Sequence, residues 1–230
     1  MKPVKKSLLV VASICCLITA GVTYALLSKV TETATNTFSS DRSISLKLRE
    51  DKWDGFDFNE SYPDGAIPGT VIDDKETNKE ILGFNIAKNY HPGDAIPKNP
   101  IVMNTSDENE YVAIKVVYEN SQGVPISKTE FENLYGKFQH LNSSYQNGMN
   151  NEFELVDTDE EFDLYIYKKV LNSNTTTPAL FDRFVIKLDI EPDGNKLPSF
   201  NIKVKAYAVQ ETNVTIDKAK ESLLNLAKKN

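Results

Sequence analysis

Stretch after stretch of this chain alternates apolar and polar residues with a period of two. Ile44, Leu46 and Leu48 alternate with Ser45, Lys47 and Arg49. Val112, Ile114, Val116 and Tyr118 alternate with Ala113, Lys115, Val117 and Glu119. Phe162, Leu164 and Ile166 alternate with Asp163, Tyr165 and Tyr167. Phe184, Ile186, Leu188 and Ile190 share one side, with Lys187, Asp189 and Glu191 on the other. Phe200, Ile202, Val204, Ala206 and Ala208 repeat the pattern. Successive strand side chains point to opposite faces, so the pattern specifies strands with one face in a core and one in water. Turn residues separate them, as in Pro63-Asp64-Gly65, Pro92-Gly93-Asp94, Ser121-Gln122-Gly123 and Pro192-Asp193-Gly194-Asn195. Strands in series without regular intervening helices predict a mainly β chain built as an antiparallel β-sandwich.

Two short helices interrupt the series. Ser127 with Glu130 makes a capping box for a helix over about Lys128–Phe138, with Phe131, Leu134, Tyr135 and Phe138 on one face. A second helix over about Ile216–Ala227 places Ala219, Leu223, Leu224 and Ala227 on one side, with lysines at its C-terminal end. Both are expected as lids over a sandwich edge.

The N-terminus has a different character. Lys2, Lys5 and Lys6 precede a run without charge from Ser7 to Ser28, and Leu8 to Leu17 is almost wholly apolar. Thr23 and Ala25 are small residues at the −3 and −1 positions of a cleavage site between Ala25 and Leu26. This is the order of a secretory signal peptide. Residues 1–25 are therefore read as a signal peptide, 26–38 as a separate N-terminal segment and 39–230 as one sandwich domain. Both cysteines of the chain, Cys15 and Cys16, lie in the leader. A secreted chain without them is held by its core, not by disulfides. The formal charge of −7 over 230 residues becomes more negative on cleavage. That balance argues against nucleic acid as a partner, because phosphate binding needs a basic face.

Signatures of catalysis are scarce. The sequence holds no H-E-x-x-H, G-x-S-x-G or glycine-rich phosphate loop. His91 falls in a turn and His140 at a helix end, and both read as ordinary surface or packed residues. Asp51, Asp54 and Asp57 form one acidic cluster, and Asp157, Asp159, Glu160, Glu161 and Asp163 another. Neither has the EF-hand spacing, so both read as solvated faces. No catalytic residue, metal ligand or cofactor is assigned.

Three segments carry a resemblance. The first is Gly21-Val22-Thr23-Tyr24-Ala25, then Leu26–Lys29, Thr35-Asn36-Thr37-Phe38-Ser39 and the alternating Ile44–Leu48. The second is Pro92-Gly93-Asp94-Ala95-Ile96-Pro97-Lys98-Asn99-Pro100, leading through Asn104-Thr105-Ser106 into Tyr111–Tyr118. The third is Phe200–Ala208, continuing into Val209-Gln210. In this order they resemble the TasA/camelysin family of Gram-positive secreted proteins, whose leaders are cut by a SipW-type signal peptidase. The resemblance implies a jelly-roll-like sandwich. It also implies a biofilm-matrix fibre subunit at the cell surface, whose processed N-terminal segment inserts as a strand into the next copy. The partners so implied are further copies of the chain, the signal peptidase and minor matrix proteins. Camelysin is classed as a surface metallopeptidase, but this chain has no zinc signature, and that activity stays an alternative beside a monomeric surface adhesin.

The residues of the segment suit a donor strand. Leu26–Phe38 has neither Gly nor Pro and is rich in Thr, which favours extended backbone. Leu26, Val30, Ala34 and Phe38 share one parity, although Glu32 falls on the same face. With Leu27 and Lys29 these are the expected polymerisation residues. Lys29 is also the candidate for a covalent crosslink between subunits.

Overall fold

The computed structural model describes residues 28–30, 44–59, 82–140, 143–158 and 161–229. The chain is mainly β, with antiparallel sheets. Its strands are β1 (Ser28–Val30), β2 (Leu46–Arg49), β3 (Ala95–Pro97), β4 (Ile101–Asn104), β5 (Glu110–Glu119) and β6 (Pro125–Ile126). They continue with β7 (Gly136–Phe138), β8 (Tyr145–Gln146), β9 (Met149–Asn150), β10 (Phe153–Thr158), β11 (Asp163–Tyr167), β12 (Arg183–Ile186) and β13 (Asn201–Gln210). The helices are α1 (Asp51–Asp54), α2 (Gly83–Lys88), α3 (Lys128–Tyr135) and α4 (Ile216–Lys229). The short α1 and α2 are additional to the pair expected from sequence.

A six-stranded sheet in the order β1-β13-β5-β11-β10, with β6 on the end of β5, forms the centre. Its backbone is the long ladder of β13 on β5, running from Asn201 opposite Glu119 to Gln210 opposite Glu110. One face presents Val112, Ile114, Val116, Tyr118, Ala206 and Ala208 to the main core. There they meet Ile96, Phe138, Phe184 and Ile186 of a three-stranded sheet, β3-β12-β7. The other face presents Ala113, Leu164, Ile166, Tyr207 and Val209 to Ala219, Leu223 and Ala227 of α4.

The position of α4 corrects two expectations. It covers the face of the sheet, not an edge. In consequence β11 is buried on both faces: Leu164 and Ile166 enter the helix-side core while Tyr165 and Tyr167 enter the other. A strand expected to be half in water is wholly inside because its second face also found an apolar cover.

Ser127 caps the helix as expected, its Oγ accepting from the backbone N–H of Glu130 at 3.2 Å. The helix it starts is shorter than its periodicity suggests. It ends at Tyr135, and Gly136–Phe138 turns into β7 against β12. A Cβ at Gly136 would lie 2.1 Å from the Val185 carbonyl oxygen, so only glycine allows the two strands so close. Phe138 is buried as foreseen, but from a strand. Leu134, expected on the buried face, is exposed. The strand near Phe184 also stops early, at Ile186, leaving Leu188 in solvent.

Candidate functional site: an open strand edge and its groove

The central sheet ends differently on its two sides. β13 would be the sheet's edge but for β1, which pairs with only part of it. Ser28 stands opposite Val209, Lys29 opposite Ala208 and Val30 opposite Tyr207. Among the described residues, no strand pairs with the outer side of β13 from Asn201 to Val204. The backbone donors and acceptors there are a template for another strand.

Side chains at this end also lack cover. Ala206 and Ala208 are fully buried on the inner face, but Ile202 and Val204, which share that face, are only half-buried. Beside them opens a groove of about 1170 Å³, walled by Leu48, Trp53, Ile96, Phe184, Phe200 and Ile202. Half-buried apolar residues beside this groove leave burial incomplete at one place.

The opposite edge, β10, is guarded. Its ladder with β11 is irregular between Leu155 and Asp157. Lys220 and Lys228 of α4 bind Glu154 and Asp157 on it at 2.9 and 3.0 Å. A bulge and charged residues are ways of discouraging further pairing.

One wall of the groove is polar. Glu50 follows β2, and Lys98 lies between β3 and β4. Lys98 Nζ donates to Glu50 Oε2 at 2.7 Å and sits 4.8 Å from the centre of the Trp53 ring. Burial raises the Glu50 carboxyl above its ordinary value, against the attraction of Lys98. Nearby, Asp182 is a hub: Lys52 and Arg183 donate to it, and His140 Nε2 lies 3.4 Å away. Burial works against the Asp182 carboxylate, yet the hydrogen bonds from Lys52 and Arg183 hold it below the usual range. Tyr90, which also lines the groove, has its hydroxyl pushed up to about 12 by burial and by Tyr135, and donates to the Pro198 carbonyl.

The acidic clusters read as solvated faces are partly structural. Asp54 Oδ1 accepts from the Phe56 N–H and Asp51 Oδ1 from the Asn99 amide. Asp163 is buried and accepts from the hydroxyls of Tyr118, Tyr165 and Thr158. Burial, with Asp163 beside them, drives both tyrosine hydroxyls well above their ordinary range. Among the described residues, no three His, Cys, Asp or Glu side chains gather where a metal ion could sit. His91 pairs with Asp94 at 3.5 Å, and His140 stacks on Tyr145 with ring centres 3.9 Å apart. No described helix is long and apolar enough to cross a membrane.

Of the expected polymerisation residues, Lys29 and Val30 are in β1. Leu26, Leu27, Ala34 and Phe38 lie outside the described residues, as does Ala25 of the expected cleavage site. The groove itself was not foreseen. Its Phe200-Ile202-Val204 floor was visible as an alternating strand, but nothing in the sequence joins Glu50 to Lys98 or Trp53 to Phe184. No family model, curated protein or solved structure matches this chain.

Proposed function

We propose that this is a secreted, non-catalytic structural protein that assembles head to tail into cell-surface fibres. The leader, residues 1–25, is removed on export. Each subunit then gives its new N-terminal segment to the β13 edge of the next, completing a jelly-roll-like sandwich. The observation that carries this reading is the short ladder of Ser28–Val30 on β13 beside an open apolar groove.

The ladder supplies a register for the donor. An antiparallel strand continuing from Val30 opposite Tyr207 would bring Glu32 opposite Lys205, Ala34 opposite Lys203 and Asn36 opposite Asn201. Thr31, Thr33 and Thr35 would share the inner face with Ala206, Val204 and Ile202. Glu32, awkward on an apolar strand face, acquires a directly opposed lysine, a favourable cross-strand pair. Fully extended at ~3.3 Å per residue, Leu26–Phe38 is long enough to follow the whole of β13.

In one chain the ladder is internal; in a fibre the same ladder forms between copies. Exchanging an identical element costs little beyond ordering the connection, and a head-to-tail contact that does not close gives a filament. The internal ladder equally suits a monomer that keeps the segment as its own edge strand, which is the competing reading. Negative-stain electron microscopy of the chain beginning at Leu26, beside one beginning at Ser39, separates them. Filaments from the first alone support donation. Single particles from both leave the segment as the monomer's own strand.

A further inference from the structure

We propose that Lys98 and Glu50 condense into an intramolecular amide, a covalent staple between the end of β2 and the β3–β4 connection. Three features of the pair set it apart from an ordinary ion pair. Lys98 Nζ is 2.7 Å from Glu50 Oε2, with side chains only 9% and 10% exposed. The other oxygen, Glu50 Oε1, is buried and has no hydrogen-bond partner. A buried carboxylate normally needs both oxygens satisfied. A second carboxyl group, Asp54, is also buried and close enough to act on Glu50 electrostatically.

These are the parts of a condensation. Burial raises the Glu50 carboxyl, and in the proposed step one Lys98 Nζ proton passes to it across the 2.7 Å contact, leaving a neutral amine beside a neutral acid. The amine is then a nucleophile, as a desolvated lysine is. Its lone pair attacks Glu50 Cδ, forming the N–C bond and a tetrahedral centre. Asp54 carries the proton lost by nitrogen to the departing hydroxyl. The C–O bond breaks, one water leaves and no oxidant or reductant is needed. The product keeps one oxygen as an amide carbonyl, which carries no charge to satisfy. Trp53 covers one side of the pair, its ring centre 4.8 Å from Lys98 Nζ.

The same structure supplies a contrast. Lys52 and Asp182 also touch, but the Lys52 side chain is half exposed and Asp182 is held ionised by Arg183 as well. A solvated ammonium facing a stabilised carboxylate has no neutral amine to attack. The staple would join residues 48 apart in a chain whose only cysteines lie in its leader. A crosslink of that span restricts the unfolded chain as a disulfide would.

The test is the intact mass of the folded chain beginning at Leu26. The expected mass is lower by one water, about 18 Da. Proteolysis should yield one joined peptide pair linking Glu50 to Lys98. Lys98→Arg, which keeps the charge and cannot form this amide, should have its full calculated mass. Asp54→Asn, which retains the oxygen that accepts from Phe56, should accumulate the uncondensed form. A full mass for the unaltered chain, or a water loss mapping to Lys52 and Asp182, overturns the proposal. So does a Lys98→Arg chain that still loses water. None of these outcomes depends on whether filaments form.

Discussion

Val30 stands directly opposite Tyr207, and the partner of β13 goes no further in the described residues. Beyond that point β13 carries Lys203 and Lys205 on one face and Ile202 and Val204 on the other. A donor continuing in register meets lysine with Glu32. Lys205→Glu should therefore weaken assembly, and Glu32→Lys in the same chain should restore it. A cross-strand charge pair is worth roughly 0.2–1 kcal/mol, so the minimum concentration for filaments should shift by up to about fivefold. Sedimentation across a concentration series reads this directly. Equal defects in the single and double variants would mean that the register is different.

Ile202→Glu tests the groove rather than the register. Ile202 is only half-buried in the single chain, so a charge there remains in reach of water. Circular dichroism should show a chain that still melts cooperatively, within a few degrees of the parent. Filaments should be absent, because an incoming strand would bury the carboxylate without a partner. Filaments at the parent's yield would remove the groove from the assembly reading.

The legible parts of the fold were those with a local cause. Ser127 and Glu130 announce a helix start because the cap is made three residues apart. The β5 and β13 faces follow from alternation alone. Where the chain missed expectation, a distant element decided. Phe138 keeps helical spacing with Phe131, yet Gly136 lets the backbone fall against Val185, and strand pairing with β12 wins. Tyr165 and Tyr167 looked like a solvent face only because α4, some fifty residues later, could not be placed over Leu164 and Ile166. The groove is least legible of all: its walls come from Leu48, Ile96, Phe184 and Phe200, and no periodicity connects them. Ser28–Val30 was readable as extended chain, but its partner strand was not.

Phe131 anchors the core beneath α3. It is fully buried, and its ring lies 5.1–5.4 Å from those of Tyr118, Tyr135, Phe184 and Phe200. Phe131→Ala should cost about 3–5 kcal/mol, the transfer of the ring plus the cavity it leaves. Urea unfolding should move to a lower midpoint with little change in slope. Ser127→Ala, which removes the cap of the same helix, should cost only about 1 kcal/mol. A comparable loss in the two would mean that the helix terminus, not the aromatic cluster, holds α3 in place.

Asp182 gives a pH dependence with a defined sign. Lys52 and Arg183 hold its carboxyl below the ordinary value of 3.8 in the folded chain, despite its burial. In the unfolded chain the group returns to that ordinary value. The stabilisation it provides is therefore complete above 3.8 and is lost as pH falls through the lower folded value. Asp182→Asn keeps the shape but cannot ionise. At neutral pH the parent should be the more stable, because the variant leaves Lys52 and Arg183 facing a neutral amide. The gap should narrow steadily on acidification through and below 3.8. Denaturant unfolding of both chains across that range measures the difference, and other acids common to the two cancel from it. A gap that stays constant with pH would show that Asp182 acts through packing and hydrogen-bond shape rather than through its charge.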